Sequence, residues 1–503
     1  MNPILYEINT RCWLHELSER LGRLVTLATV PDEEFARWQK LGISHIWLMG
    51  VWTTGPRARA LALEEPNLRR AYDETLPGWR REDVAGSPYS IAEYQVPGAL
   101  GGDSGLKAFR QKLHRAGLKL ILDFVPNHLG IDHAWLRERP DLFVQSPAPA
   151  EGTFAQETVA GRRWIAHGKD PYFPCWTDVA QLDYRRPETR AAMKELLLAV
   201  AARCDGVRCD MAMLLLNEVL ERTWAGFPGA GPLPKTEFWA ETIPAVRQAQ
   251  PEFLFLAEVY WDLEARMQGL GFDYTYDKHL YDDLISRNAA GAQRRLLESP
   301  PEFTAACAHF LENHDEPRVA AKLALPEHRA AALVILGLPG MRFLHDGQLT
   351  GARNKIPVQL SRRRLEAPQP EVQKMYDAML TTLSATAVGR GRAEILSPRE
   401  AWPGNPTAQD FIVVQWLAQP PENPPTPPRR GTEFHLMAVN LAPHRSQCYV
   451  PLKVPKLADY NWSMRDLLGT EAYERFGSDL EAQGLYLDLA EHGAQLFHFA
   501  PIR

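Results

Sequence analysis

The chain has 503 residues, 45% of them apolar and 23% charged, with a formal net charge of −6. That length exceeds one ordinary domain, and the composition is globular, which excludes disorder as the default state. The mildly acidic balance offers no basic footprint for nucleic acid, and no apolar run approaches the roughly 20 residues of a membrane span, so neither is expected as a partner.

The chain opens MNPILYEINTRCWL, without a basic segment followed by a long apolar stretch and a small-residue cleavage site. A cytoplasmic, unexported protein is the expectation. Cys12, Cys175, Cys204, Cys209, Cys307 and Cys448 are scattered, which predicts free thiols rather than a disulfide framework or a zinc site. A first strand is expected near Leu5. Phe35, Trp38 and Leu41 then line one face of a helix stopped by Gly42, and Ile43–Gly50 reads as a buried strand. Asp103 or Ser104 is placed to cap a helix carrying Leu106, Phe109 and Leu113 and ending at Gly117, before a strand over Leu118–Val125. The excursion 129–184, rich in Pro, Gly and aromatics, is too long for a βα connection and predicts an inserted domain after the third strand. Pro187 opens a helix through Met193, Leu196, Leu197 and Val200. Further strands are expected over Gly206–Met213, Phe253–Val259, Phe272–Tyr276 and Ala305–Leu311, and near Phe343.

Strands apolar at nearly every position fit a parallel sheet covered on both faces, and eight of them favour a closed (β/α)8 TIM barrel. The expected organisation is therefore a barrel of residues 1–128 and 185–389, an inserted domain of 129–184, and a C-terminal antiparallel β-sandwich of 390–503. Alternating runs at Asp410–Trp416, Glu433–Asn440 and Leu485–Leu489 indicate the sandwich, and PPENPPTPPRR at 420–430 reads as a stiff loop within it.

Four polar clusters fall where barrel strands are expected to end: DFVPNH with Asp123, Asn127 and His128; GVRCD with Arg208 and Asp210; AEVYW with Glu258 and Trp261; ENHDEPR with Asn313, His314 and Asp315. Singly, each has an ordinary explanation as a hydrogen-bond partner, a turn, a local ion pair or a helix cap. Jointly they converge, because the C-terminal strand ends of a barrel meet at one mouth, and charge there is costly to desolvate unless paired or facing a cleft. Glycosidic cleavage needs such a set: a carboxylate nucleophile, a protonated carboxyl group and further stabilisation of a cationic transition state. Arg208, two positions before Asp210, has the strand period to point the same way and hold it ionised. Tyr260 and Trp261 offer Glu258 partial burial that keeps it protonated.

In their order, DFVPNH, GVRCD, LAEVYW and FLENHD resemble the four signature regions of the α-amylase family of glycoside hydrolases, and the likeness extends over roughly residues 4–350. The resemblance implies a retaining α-glycosidase acting on α-glucans or maltooligosaccharides. It casts Asp210 as nucleophile, Glu258 as acid/base and Asp315 as transition-state stabiliser, with Arg208, His128 and His314 supporting the sugar site. GSPYSIAEY resembles the segment that supplies a stacking tyrosine, here Tyr89. No cofactor is required by it; Asn127 matches a position that ligates calcium in many relatives.

The departures concern the leaving-group side. Where many amylases carry Lys-His after the nucleophile, this chain has Met213 and Leu214, which puts the usual acceptor contacts and a calcium site in question. Met213 is then expected as an apolar contact there, with Trp261 stacking on sugar, and Arg353 and Gln359 are candidates for specificity in the segment after the eighth strand. Hydrolysis and transfer to a sugar acceptor (a transglycosylase or isomerase) both remain open on this scaffold. A catalytically silent sugar-binding protein would be expected to lack one of the three carboxylates, and none is missing. Oligomeric state is not legible.

Overall fold

The computed structural model describes residues 2–227, 232–418 and 432–502; the proline-rich run 420–430 lies outside them. Eight strands, β1 (Ile4–Asn9), β2 (His45–Met49), β3 (Lys119–Phe124), β4 (Gly206–Cys209), β5 (Leu254–Ala257), β6 (Tyr274–Tyr276), β7 (Cys307–His309) and β8 (Met341–His345), pair in parallel. They close into a barrel in chain order, with β1 hydrogen-bonded to both β2 and β8. All eight lie where the apolar runs place them. The strands are largely apolar because both faces are covered, with polar residues concentrated toward their ends. Ile46, Leu48, Leu120, Leu122, Val207 and Phe255 pack with the surrounding helices, while Leu5, Trp47, Ile121, Leu256, Tyr276 and Phe343 fill the interior.

The helix Asp32–Lys40 buries Phe35 and Trp38 and stops at Gly42, whose φ of +73° is left-handed. Pro187–Ala201 begins at its proline as expected. The helix Gly102–Arg115 differs: it starts ahead of both proposed caps. The Asp103 carboxylate instead accepts the Val96 backbone N–H at 2.9 Å, tethering the preceding loop.

Between β3 and the helix Pro187–Ala201, an antiparallel sheet runs in the order His128–Gly130, Trp176–Gln181, Gly161–Gly168, Gln145–Ser146, with Thr153–Thr158 forming a hairpin on Gly161–Gly168. Its first strand already begins at His128, one residue before the boundary expected from sequence. At the other end of the chain, a six-stranded and a three-stranded antiparallel sheet enclose a second apolar core that includes Phe411, Phe434, Cys448, Trp462, Leu485 and Phe499. Leu485–Leu489 alternates buried and exposed, as a sandwich strand should. Phe411–Leu417 does not, because its second face is also covered. Ile412, Val414 and Trp416 join the barrel's core, and the Trp416 indole donates to the Gly337 carbonyl at the end of the helix Leu325–Gly337. All six cysteines are free, and among the described residues no helix is long and apolar enough to cross a membrane.

Gly337 carries this junction. A Cβ there would lie 2.1 Å from the Met437 sulfur, so the Met437 side chain occupies the space that a residue larger than glycine would need. Gly337→Leu is expected to destabilise the protein by about 1–3 kcal/mol, as overpacking does. Paired with Met437→Ala, which vacates the same space, it should cost less than the two single changes together in urea unfolding.

Candidate active site

A period of two sorts the strand ends. Leu5, Ile121 and Leu256 face the barrel interior, so Glu7, Asp123 and Glu258, two positions on, face the same way at its mouth. Arg208 sits beside Asp123 in register and beside Leu256 on the other flank, and Asp210 follows β4 immediately.

Arg208 is only 1% exposed. Its Nη1 donates to Asp210 Oδ1 at 2.7 Å and lies 3.5 Å from Asp123 Oδ1; its Nη2 reaches Glu258 Oε2 at 2.8 Å; its Nε donates to the Tyr276 hydroxyl at 3.2 Å. The rings of Trp47, Tyr89 and Tyr276 stand 5.2, 5.2 and 5.7 Å from its central carbon. Desolvating a cation costs several kcal/mol unless opposite charge and aromatic faces replace water, and both are present.

The carboxyl groups around it differ. Burial pushes Glu258 up to about 7 against the opposing charge of Arg208, with the negative charges of Asp210 and Asp315 adding to the rise. Its Oε2 also accepts the Met211 N–H at 2.7 Å, and its Oε1 meets the Tyr260 hydroxyl at 2.9 Å. Burial likewise pushes Asp123 up to about 7, although Arg208 opposes it; one oxygen accepts from the Trp47 indole at 3.1 Å. Burial raises Asp210 too, with the charge and hydrogen bond of Arg208 pulling the other way. Asp315, half exposed at the mouth, goes down: desolvation works against ionisation, but the charges of His314, Arg208 and Lys355 outweigh it.

His314 is clamped between acids. Its Nδ1 is 2.5 Å from Glu7 Oε1, and its Nε2 is 3.0 Å from Asp315 Oδ2 and 2.7 Å from the Tyr89 hydroxyl. Burial would make this imidazole neutral, yet the two carboxylates raise it well above the usual histidine range. Tyr89 stacks on its ring at 5.4 Å. His128 is the opposite case. Buried against Trp176 and without a facing carboxylate, it is lowered to about 4 and stays neutral.

Other expected site residues stand elsewhere. Met213 is fully buried, in a short turn of helix with Leu214 and Leu215, so it presents no surface to a leaving group. The apolar triplet packs inward because water offers it nothing. The Arg353 guanidinium donates to the Ala320 carbonyl at 2.6 Å and does not join the carboxylates. Gln359 is tied through its own carbonyl to the Ala85 N–H. Trp261 does lie at the rim, held with φ +67° and edge-on at 4.9 Å to Tyr172, in the loop joining two strands of the inserted sheet. The Asn127 amide pairs with that of Gln181, its Oδ1 accepting from Gln181 Nε2 at 2.9 Å, while its backbone carbonyl accepts from the same amide and from the Leu182 N–H. Both Asn127 oxygens are thus engaged within the protein, and Leu214, packed in the core, offers no side-chain ligand atom.

Sequence reasoning missed Glu7, Trp47, Tyr276 and Lys355. Glu7 and Tyr276 are polar positions ending apolar strands, the same signal that marked Asp123. Lys355, whose ammonium reaches the Asp315 carbonyl, left no such trace, because it comes from a loop.

The α-amylase catalytic-domain model matches residues 36–385, most of the chain and all of β2 to β8. The chain belongs to the α-amylase family. Alpha-amylase 3 of Dictyoglomus thermophilum is 21% identical over 71% of this chain, and Maltase 1 of Drosophila virilis 23% over 52%. The chain spans less than two thirds of these relatives, 65% and 49% of their lengths. Among solved structures, an α-amylase from Lactobacillus plantarum (TM-score 0.67, 19% identity) matches over 99% of both chains. One from Geobacillus thermoleovorans in complex with acarbose (0.67, 17%) matches over 100% of this chain and 99% of its own. At these identities the structures share the fold. In this family member, the Glu7–His314–Asp315 clamp is open to a direct test. Glu7→Gln should move the His314 titration, followed by imidazole NMR, to lower pH. It should also cut kcat/KM by roughly 10–100-fold, the scale of one lost charge-assisted hydrogen bond.

Proposed function

We propose that this α-amylase family member is a retaining α-glycosidase acting on α-glucosidic bonds of α-glucans or maltooligosaccharides. The observation that carries the reading is the single guanidinium of Arg208 bonded to both Asp210 and Glu258. Two carboxyl groups on one fork are kept close, on the side of the about 5–5.5 Å spacing of retaining enzymes rather than the wider gap that admits a water. Asp210 attacks the anomeric carbon and forms the covalent glycosyl-enzyme, with Arg208 stabilising its anionic form. Glu258, raised to about 7, donates the proton to the departing oxygen and then takes one from the incoming water. Asp315, ionised beside His314, faces the positive charge that develops on the ring. Tyr89, His128 and His314 line the sugar on that side.

Asp210→Ala should leave the fold intact and reduce kcat by about 10³ or more, and the first product of the native enzyme from an α-linked substrate should be the α-anomer by NMR. A β-anomer would overturn the reading. The pH profile tests Glu258 separately. An acid must hold its proton, so kcat/KM on a maltooligosaccharide should fall as pH rises through about 7. That alkaline fall should vanish with α-glucosyl fluoride, whose leaving group needs no proton.

The rim supports a second reading, transfer to a sugar acceptor. Trp261 and the exposed Tyr172 and Phe173 offer apolar surface near the leaving-group side, where stacking tolerates an acceptor as well as a leaving sugar. Products longer than a defined maltooligosaccharide substrate would mark transfer; one new reducing end per bond broken would mark hydrolysis.

A further inference from the structure

Immediately beyond Trp261, three side chains from two segments turn toward one point. Asp262 follows β5 in a left-handed conformation, φ +59°; Glu264 opens the helix Glu264–Gly269; His279 comes from the helix Lys278–Ile285 after β6. One ligand atom from each, two carboxylate oxygens and an imidazole nitrogen, all lie within 4.8 Å of one another. His279 Nε2 is 2.8 Å from Asp262 Oδ1 and 4.0 Å from Glu264 Oε1.

An exposed Asp–His pair would by itself be an ordinary surface contact. Glu264 makes it more. Its side chain is 7% exposed, and its Oε1 is buried with no hydrogen-bond partner, although the imidazole lies just beyond reach. A buried carboxylate oxygen left unsatisfied costs about 1–3 kcal/mol or more, and folded proteins rarely keep one without an occupant. A proton would serve one oxygen only, and a water would bring no charge to balance the two carboxylates. A divalent cation would serve all three groups.

We propose that Asp262, Glu264 and His279 bind a divalent cation of the zinc class. One imidazole nitrogen with two carboxylate oxygens is a donor set for such an ion, rather than the all-oxygen shell of calcium. Bonds of about 2.0–2.2 Å put neighbouring ligand atoms somewhat more than 3 Å apart, so the site needs Asp262 to open slightly and Glu264 to close. Asp262, 87% exposed, is free to make that adjustment, and water completes the shell. The cation would tie the loop after β5 to the helix after β6. It would thereby fix the Trp261–Asp262 backbone, both residues at positive φ, at the rim of the mouth. The site stands whether or not Asp210 and Glu258 have the roles proposed above.

The test uses the full chain, stripped with chelator and dialysed against Zn²⁺. One equivalent should be retained by elemental analysis, and Co²⁺ in its place should give d–d absorption. His279→Asn and Asp262→Asn lie at half-exposed and exposed positions and should keep the native circular dichroism. Each should weaken Zn²⁺ binding at least about tenfold in calorimetry, and Glu264→Gln should do the same. Uptake of no stoichiometric ion by the native chain, or uptake indifferent to His279→Asn and Asp262→Asn, would overturn the site.

Discussion

A guanidinium out of water, with carboxyl groups on three sides, is the constraint on which the mouth of this barrel depends. Asp210 and Glu258 offset the cost of burying Arg208 at the end of β4, and the guanidinium in turn offsets the crowding of those acids. The arrangement sorts the acids as well as holding them. Where burial dominates, Glu258 and Asp123 rise to about 7. Where full charges face the carboxylate across a partly open edge, as at Asp315, ionisation is favoured.

The second charge system repeats the logic with the sign reversed. His314 is an imidazole that burial would neutralise, kept cationic because Glu7 and Asp315 flank it. Its partners come from β1 and from the loop after β7, so barrel closure is what brings Glu7 to it. His128 belongs to the same mouth but meets Trp176 rather than a carboxylate, and it stays neutral. Two histidines equally buried thus differ in charge because of the groups that face them.

Beyond the mouth, two packed additions shape the barrel's surroundings. A loop of the inserted sheet brings Tyr172 edge-on to Trp261 beside the end of β5. The C-terminal sheets lean on the barrel through Trp416 and Gly337, where a missing side chain lets strand and helix touch. Membership of the α-amylase family accounts for the barrel. The buried Met213, the engaged Asn127 amide and the Asp262–Glu264–His279 cluster belong to this chain's own residues.

The sequence by itself determined the barrel and its acids. Strands covered on both faces are apolar along most of their length, so eight such runs were legible, and the polar clusters ending them marked Asp123, Arg208, Asp210, Glu258 and Asp315. Glu7 and Tyr276 carried that same strand-end mark and were passed over. Tertiary structure alone decided the rest. Met213 read as a contact surface but is buried, because a residue just past a strand can turn inward or outward without any change of pattern. Arg353 and Lys355 are two positions apart in one loop, yet only the lysine reaches Asp315. Asp103 ties a loop where a helix cap was expected. Loops have no period to reveal which way a side chain points, and the partners that fix a charge come from distant segments, so those choices exist only once the chain is folded.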